Sequence, residues 1–144
     1  MLADDFTLPN VDGTSVRLSD LLGRSLLTGA VVDVAEVAND RRMDNPRFHA
    51  ENFERNRDMA TFVEAMAKRK RCTPAQLALA WLLAQGDDII AIPGTKHIER
   101  IDDNLGALDV QLSADERQAL ADAFPPGAAA DTRYPAGGMK DVYI

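Results

Sequence analysis

At 144 residues the chain suits one domain of ordinary size and falls short of the roughly 250 residues of a complete eight-stranded barrel. A composition of 46% hydrophobic and 27% charged residues is that of a water-soluble globular protein, and no apolar run approaches the ~20 residues of a membrane span. The net charge of −7 disfavours general nucleic-acid binding, so an anion site must be a local basic feature, and the single Cys72 excludes an internal disulfide and a cysteine-cluster metal site.

The start, Met1-Leu2-Ala3-Asp4-Asp5, is acidic where a signal peptide is basic, and the expected setting is cytoplasmic. Residues 5–18 place short β-prone runs on either side of Asn10-Val11-Asp12-Gly13, which predicts a hairpin. Residues 19–32 are apolar with Gly23 and Gly29 as breakers, and residues 33–49 turn polar around Asn39-Asp40-Arg41-Arg42-Met43-Asp44-Asn45-Pro46, an expected exposed loop. A helix is predicted from about Glu51 to Lys70. Phe53, Met59, Phe62, Val63 and Met66 share its apolar face, and Lys68-Arg69-Lys70-Arg71 gather where cations favour the helix dipole.

Thr73 as N-cap, Pro74 at the first helical position and Gln76 three residues after the cap announce the next helix by a capping box, and Gly86 marks its end. Its interior, Leu77-Ala78-Leu79-Ala80-Trp81-Leu82-Leu83-Ala84, is apolar nearly all round, so other elements must cover it on several sides. Ile89-Ile90-Ala91-Ile92 is a short unbroken apolar run of the kind found in buried parallel strands, and it breaks at Pro93-Gly94 into a helix over 98–107. Ile98, Ile101, Leu105 and Leu108 form the expected inward stripe of that helix. Ser113 and Glu116 make a second capping box for a last helix that packs Leu120 and Phe124 and ends at Pro125-Pro126-Gly127. Residues 128–144 read as an irregular flap.

The strand, the turn and Lys96 with Arg100 one turn apart form the most chemically informative stretch. A phosphate wants a close backbone approach, met by Gly94, a hydroxyl and N–H donor at Thr95, a point charge at Lys96 and a bidentate fork at Arg100. The same spacing also suits plain surface cations, with Arg100 paired to Asp103 or Glu99. His49 and His97 read as solvent-facing or capping residues, and Cys72 as a buried structural thiol.

Thr73-Pro74-Ala75-Gln76-Leu77-Ala78-Leu79-Ala80-Trp81-Leu82-Leu83-Ala84-Gln85, then Ile92-Pro93-Gly94-Thr95-Lys96, Arg100, Asn104-Leu105-Gly106-Ala107-Leu108, Leu112-Ser113 and Phe124-Pro125-Pro126-Gly127-Ala128, resemble the C-terminal part of a bacterial aldo-keto reductase. Gly23-Arg24 and Leu27-Thr28-Gly29 extend the resemblance back to about residue 22. It implies an α/β fold, part of a (β/α)8 TIM barrel, mostly helical with a small sheet and an N-terminal β-hairpin. It further implies NADP(H) as cofactor, with the adenosine end held by Gly94, Thr95, Lys96, Arg100, Asp103 and Asn104. The expected division is one truncated domain: a head over 1–21, the barrel part over 22–127 and a tail over 128–144.

Departures from the family pattern bear on activity. The family's Asp, Tyr, Lys, His tetrad belongs to the first half of the barrel, which has no counterpart here, and the only tyrosines are Tyr134 and Tyr143. Where the family reads like Tyr-Ser-Pro-Leu-Gly, with the Tyr on the nicotinamide, this chain has Ser19-Asp20-Leu21-Leu22-Gly23. The head, Asp5-Phe6-Thr7-Leu8-Pro9 with Asp12-Gly13-Thr14 and Val16-Arg17-Leu18-Ser19-Asp20-Leu21, is similar to the opening hairpin of a redoxin, without a cysteine to follow. Two readings result: an oxidoreductase that reduces aldehydes or ketones when another chain completes it, or an inactive remnant that at most binds the NADP(H) phosphate. The expected partners are a nucleotide cofactor and, through unpaired strand edges, a second copy, with neither nucleic acid nor membrane.

Overall fold

The computed structural model describes residues 7–9, 15–17, 27, 33, 35, 38, 41–93, 95, 97–125, 127–132 and 134–141. Strand β1 (Thr7–Pro9) pairs antiparallel with β2 (Ser15–Arg17), with Thr7 opposite Arg17. The turn expected at 10–14 lies outside the described residues, as does most of 19–32. Four helices carry the rest: α1 (Ala50–Lys70), α2 (Pro74–Leu83), α3 (Glu99–Leu105) and α4 (Ala114–Ala123).

The polar segment before α1 is more ordered than its composition suggests. It folds into two short 3-10 turns, Arg41–Asp44 and Pro46–Phe48, and buries Asn45 and Phe48. Phe48 meets Phe53 with ring centroids 6.4 Å apart, so the turn closes the start of α1. Helix α1 ends without a glycine. Arg71 takes the left-handed conformation at φ 57°, its N–H bonds Lys68 O, and Cys72 N–H reaches back to Ala67 O at 3.1 Å. This is a Schellman closure in which a non-glycine residue accepts ~1 kcal/mol of strain to satisfy two terminal carbonyls.

Both capping boxes form. Thr73 Oγ1 accepts from Gln76 N–H at 3.1 Å while Thr73 N–H donates to Gln76 Oε1 at 2.9 Å, and Ser113 and Glu116 do the same for α4. Helix α2 stops at Leu83, short of Gly86, because the Gln85 side-chain amide bonds the Trp81 carbonyl at 2.8 Å and Gln85 N–H turns to Leu82 O. The core sits where α1, α2 and α4 meet: Leu27, Ala60, Val63, Met66, Ala67, Leu77, Trp81 and Leu120 pack as one cluster. Residues Leu77 through Leu82 are all buried, as an all-round apolar helix requires. Phe62 is the exception on the α1 face. It lies at the surface and meets Phe124 edge-on at 6.2 Å.

Lys70 Nζ lies 2.9 Å from Glu116 Oε2 and ties the end of α1 to the start of α4. Lys70, followed by the Ser113 N–H, holds the Glu116 carboxyl below its ordinary value. Folding therefore favours the ionised form: the contribution is present above the ordinary carboxylate range and is lost as pH falls through the lowered value. Glu116→Gln should be less stable than the native chain at neutral pH, and the gap in melting midpoint should close as pH is lowered. A gap that stays constant down to acid pH would contradict this assignment.

The segment after α2 departs from expectation. Ile89–Ile92 is irregular backbone, with Ile90 82% and Ile92 66% exposed, where a buried parallel strand was predicted. A parallel strand needs neighbours on both edges, and none of the described residues pairs with it. The helix predicted over 98–107 is shorter, and a 3-10 turn, Gly106–Asp109, follows it. Its expected inward stripe points outward: Ile98, Ile101, Leu105 and Leu108 are all exposed, and Ala107 is the buried residue of this stretch. The barrel sheet that would receive that stripe is not formed among the described residues.

The tail is anchored rather than loose. Asn56, fully buried on α1, accepts from Ala130 N–H at 2.7 Å and donates to Ala130 O at 3.4 Å and Arg47 O at 3.1 Å. Asn52 adds a bond to the Asp131 carboxylate at 2.9 Å. Among the described residues, no helix is long and apolar enough to cross a membrane.

Candidate functional site

Of the six candidate nucleotide-binding residues, Gly94 and Lys96 lie outside the described residues. The other four fall on α3 and the turn before it. Thr95 is exposed and closes a local turn, its Oγ1 accepting from His97 N–H at 3.1 Å and lying 3.2 Å from His97 O. Arg100 is exposed, and among the described residues no ion pair joins its guanidinium to Glu99 or Asp103. Glu99 lies instead 3.5 Å from His97 Nδ1. Asn104 is half-buried.

Asp103 is differently placed. Its carboxylate accepts from Thr73 Oγ1 at 3.3 Å and its carbonyl from Gln76 Nε2 at 3.0 Å, so the side chain is directed toward α2. The start of α3 adds less positive potential than a helix terminus ordinarily does. The helix has seven residues, no side-chain cap at Ile98, and Glu99 and Asp102 in its first turn. Affinity for an anion must therefore come from side chains, Arg100 foremost.

Sequence reasoning missed the part of Gln76. Its place in the capping box makes it look locally spent, whereas only its Oε1 is used there. An open groove of about 320 Å³ runs between Lys70, Cys72, Gln76 and Gly106. Cys72 is half-buried, and burial pushes its thiol above the ordinary value against the opposing pull of Lys70, which keeps it a weak nucleophile. His49 is exposed at the N-cap of α1 and makes no side-chain cap bond there.

The aldo/keto reductase family matches residues 13–123. The chain is 40% identical over 124 residues to the Schizosaccharomyces pombe protein named Aldo-keto reductase yakc [NADP(+)], covering 85% of this chain and 36% of that one. It is 42% identical over 113 residues to the Glycine max protein named Probable aldo-keto reductase 1, covering 78% of this chain and 33% of that one. The chain thus spans about a third of the length of the curated relatives it matches. On the length and the level of these matches, it belongs to the aldo/keto reductase family.

Proposed function

We propose that this chain carries the adenosine-phosphate end of an NADP(H) site, in an oxidoreductase whose reaction is the reduction of aldehydes or ketones to alcohols. The observation that carries the reading is Arg100, exposed and without an ion pair among the described residues, between Thr95 and Asn104 in sequence and within the family match. The name of the yeast relative supports NADP(H) as the nucleotide. In this reading Gly94, Thr95, Lys96, Arg100, Asp103 and Asn104 serve the 2′-phosphate and adenine. One domain spans 1–144, with its head at 1–21 and tail at 128–144.

The reduction moves a hydride from the nicotinamide to the carbonyl carbon and a proton to the carbonyl oxygen. In this reading none of the described residues is assigned the acid role: Tyr134 lies in the tail against Gly138, and His97 is an exposed surface residue beside Glu99. The 144 residues taken alone are therefore proposed to bind nucleotide without turnover, and a chain bearing the complementary barrel segments would supply the acid. The outward aliphatic stripe of Ile98, Ile101, Leu105 and Leu108 is the surface such a chain, or a second copy, would cover. The proposed setting is cytoplasmic, where a free thiol such as Cys72 persists.

Two measurements test this. Arg100→Ala should weaken NADPH binding by roughly 1.5–3 kcal/mol, the value of a charge-assisted contact, as read by fluorescence titration. Unchanged affinity would remove Arg100 from the site. NADPH oxidation with a panel of aldehydes and ketones should stay at the blank rate for the purified chain, and turnover would overturn the binding-only reading.

A further inference from the structure

Helix α3 is seven residues long, has no buried residue and lacks a side-chain N-cap. A helix of that length does not hold itself in water, so something else must fix it. Ala107 anchors the turn after it. Within the helix, among the described residues, Asp103 alone is joined to another element by hydrogen bonds. Both go to the first turn of α2: Gln76 Nε2 to the Asp103 carbonyl at 3.0 Å, and Thr73 Oγ1 to its carboxylate at 3.3 Å.

The Gln76 amide is used at both ends, since its Oε1 accepts Thr73 N–H at 2.9 Å in the capping box. It is also confined from the far side. A Cβ on Gly106 would collide with Gln76 Nε2, so the glycine is what lets the amide reach Asp103. One side chain thereby caps α2 and grips α3, one turn from Arg100 and next to Asn104.

We propose that Gln76 is a positioning residue for the nucleotide end, acting on α3 through Asp103, its counterpart in this latch. The proposal rests on the nucleotide reading for its functional part and on the hydrogen bonds for its structural part. Gln76→Glu separates the two uses of the amide. A carboxylate still accepts Thr73 N–H, as Glu116 does from Ser113 N–H at 2.8 Å, but it cannot donate to the Asp103 carbonyl.

The experiment uses the full chain with amide hydrogen exchange and with binding of 2′,5′-ADP and 5′-AMP. In Gln76→Glu, exchange over 99–105 should speed up while 77–82 stay protected, and 2′,5′-ADP should weaken roughly three- to tenfold, more than 5′-AMP. Gly106→Ala, which displaces the amide instead of deleting its donor, should do the same and serves if the first variant folds poorly. Unchanged exchange over 99–105 in folded variants overturns the latch. Faster exchange with unchanged 2′,5′-ADP affinity overturns the positioning role. A native chain that binds neither probe overturns the nucleotide reading and with it the positioning role, while exchange still decides the latch.

Discussion

Replacing Trp81 by Ala should cost about 3–5 kcal/mol. Trp81 is 4% exposed and packs among Val63, Met66, Leu77 and Leu120, where α1, α2 and α4 meet. Its indole Nε1 also donates to the Arg117 carbonyl at 3.1 Å, so the truncation removes both the packing across three helices and a bond between two of them. Against a domain stability of roughly 5–15 kcal/mol, that loss removes from about a fifth to the whole of it. Trp81→Phe retains most of the apolar volume and gives up the hydrogen bond, so its cost should be nearer 1–2 kcal/mol. Trp81 is the only tryptophan, and both variants must be followed by far-UV circular dichroism in urea. Equal midpoints for Trp81→Ala and the native chain would show that the three helices do not share this core.

Asn56→Leu comes second, at about 2–5 kcal/mol. The leucine matches the asparagine in branching, but it leaves the buried Ala130 N–H without its acceptor at 2.7 Å and the Ala130 carbonyl without the Asn56 donor at 3.4 Å. Each unsatisfied buried group costs roughly 1–3 kcal/mol, which exceeds what the added apolar surface returns. The effect should also be local. Residues 127–141 should become open to proteolysis before α1, α2 and α4 melt, because Asn56 is their deepest attachment. The Asn52 contact to Asp131 is exposed and weaker. A native cleavage pattern in Asn56→Leu, with an unchanged melting midpoint, would mean that the tail is held by other contacts.

These two residues differ in how they announce themselves. Trp81 stands in an apolar helix bounded by a capping box, and its burial follows from the pattern. Asn56 stands among charged neighbours in Glu54-Arg55-Asn56-Arg57-Asp58, and nothing local marks it as buried. Its partner is Ala130, on a segment whose composition predicts only irregular backbone. The same contrast holds at the site. Arg100 and Thr95 are proposed from sequence alone, on a Pro-Gly turn followed by cations. The engagement of Asp103 is not, because it depends on a glutamine 27 positions away whose local duty is already met.

The exposed stripe teaches the complementary point. Ile98, Ile101 and Leu105 have the spacing of a buried face, and the helix they belong to does form. Periodicity states which residues share a face; it does not supply the element that covers it. Likewise Ile89–Ile92 has strand composition, but strand backbone needs hydrogen-bonding neighbours that a run of isoleucines cannot provide for itself.

What the sequence determined by itself is what residues close along the chain can enforce: the two capping boxes, the helices they start and the sharing of apolar faces. Tertiary structure alone decided which faces are covered, that Asn56 holds the tail and that Gln76 grips Asp103. Caps and faces are set by near neighbours along the chain, whereas burial and latching are properties of pairs far apart in sequence, whose meeting depends on every element packed between them.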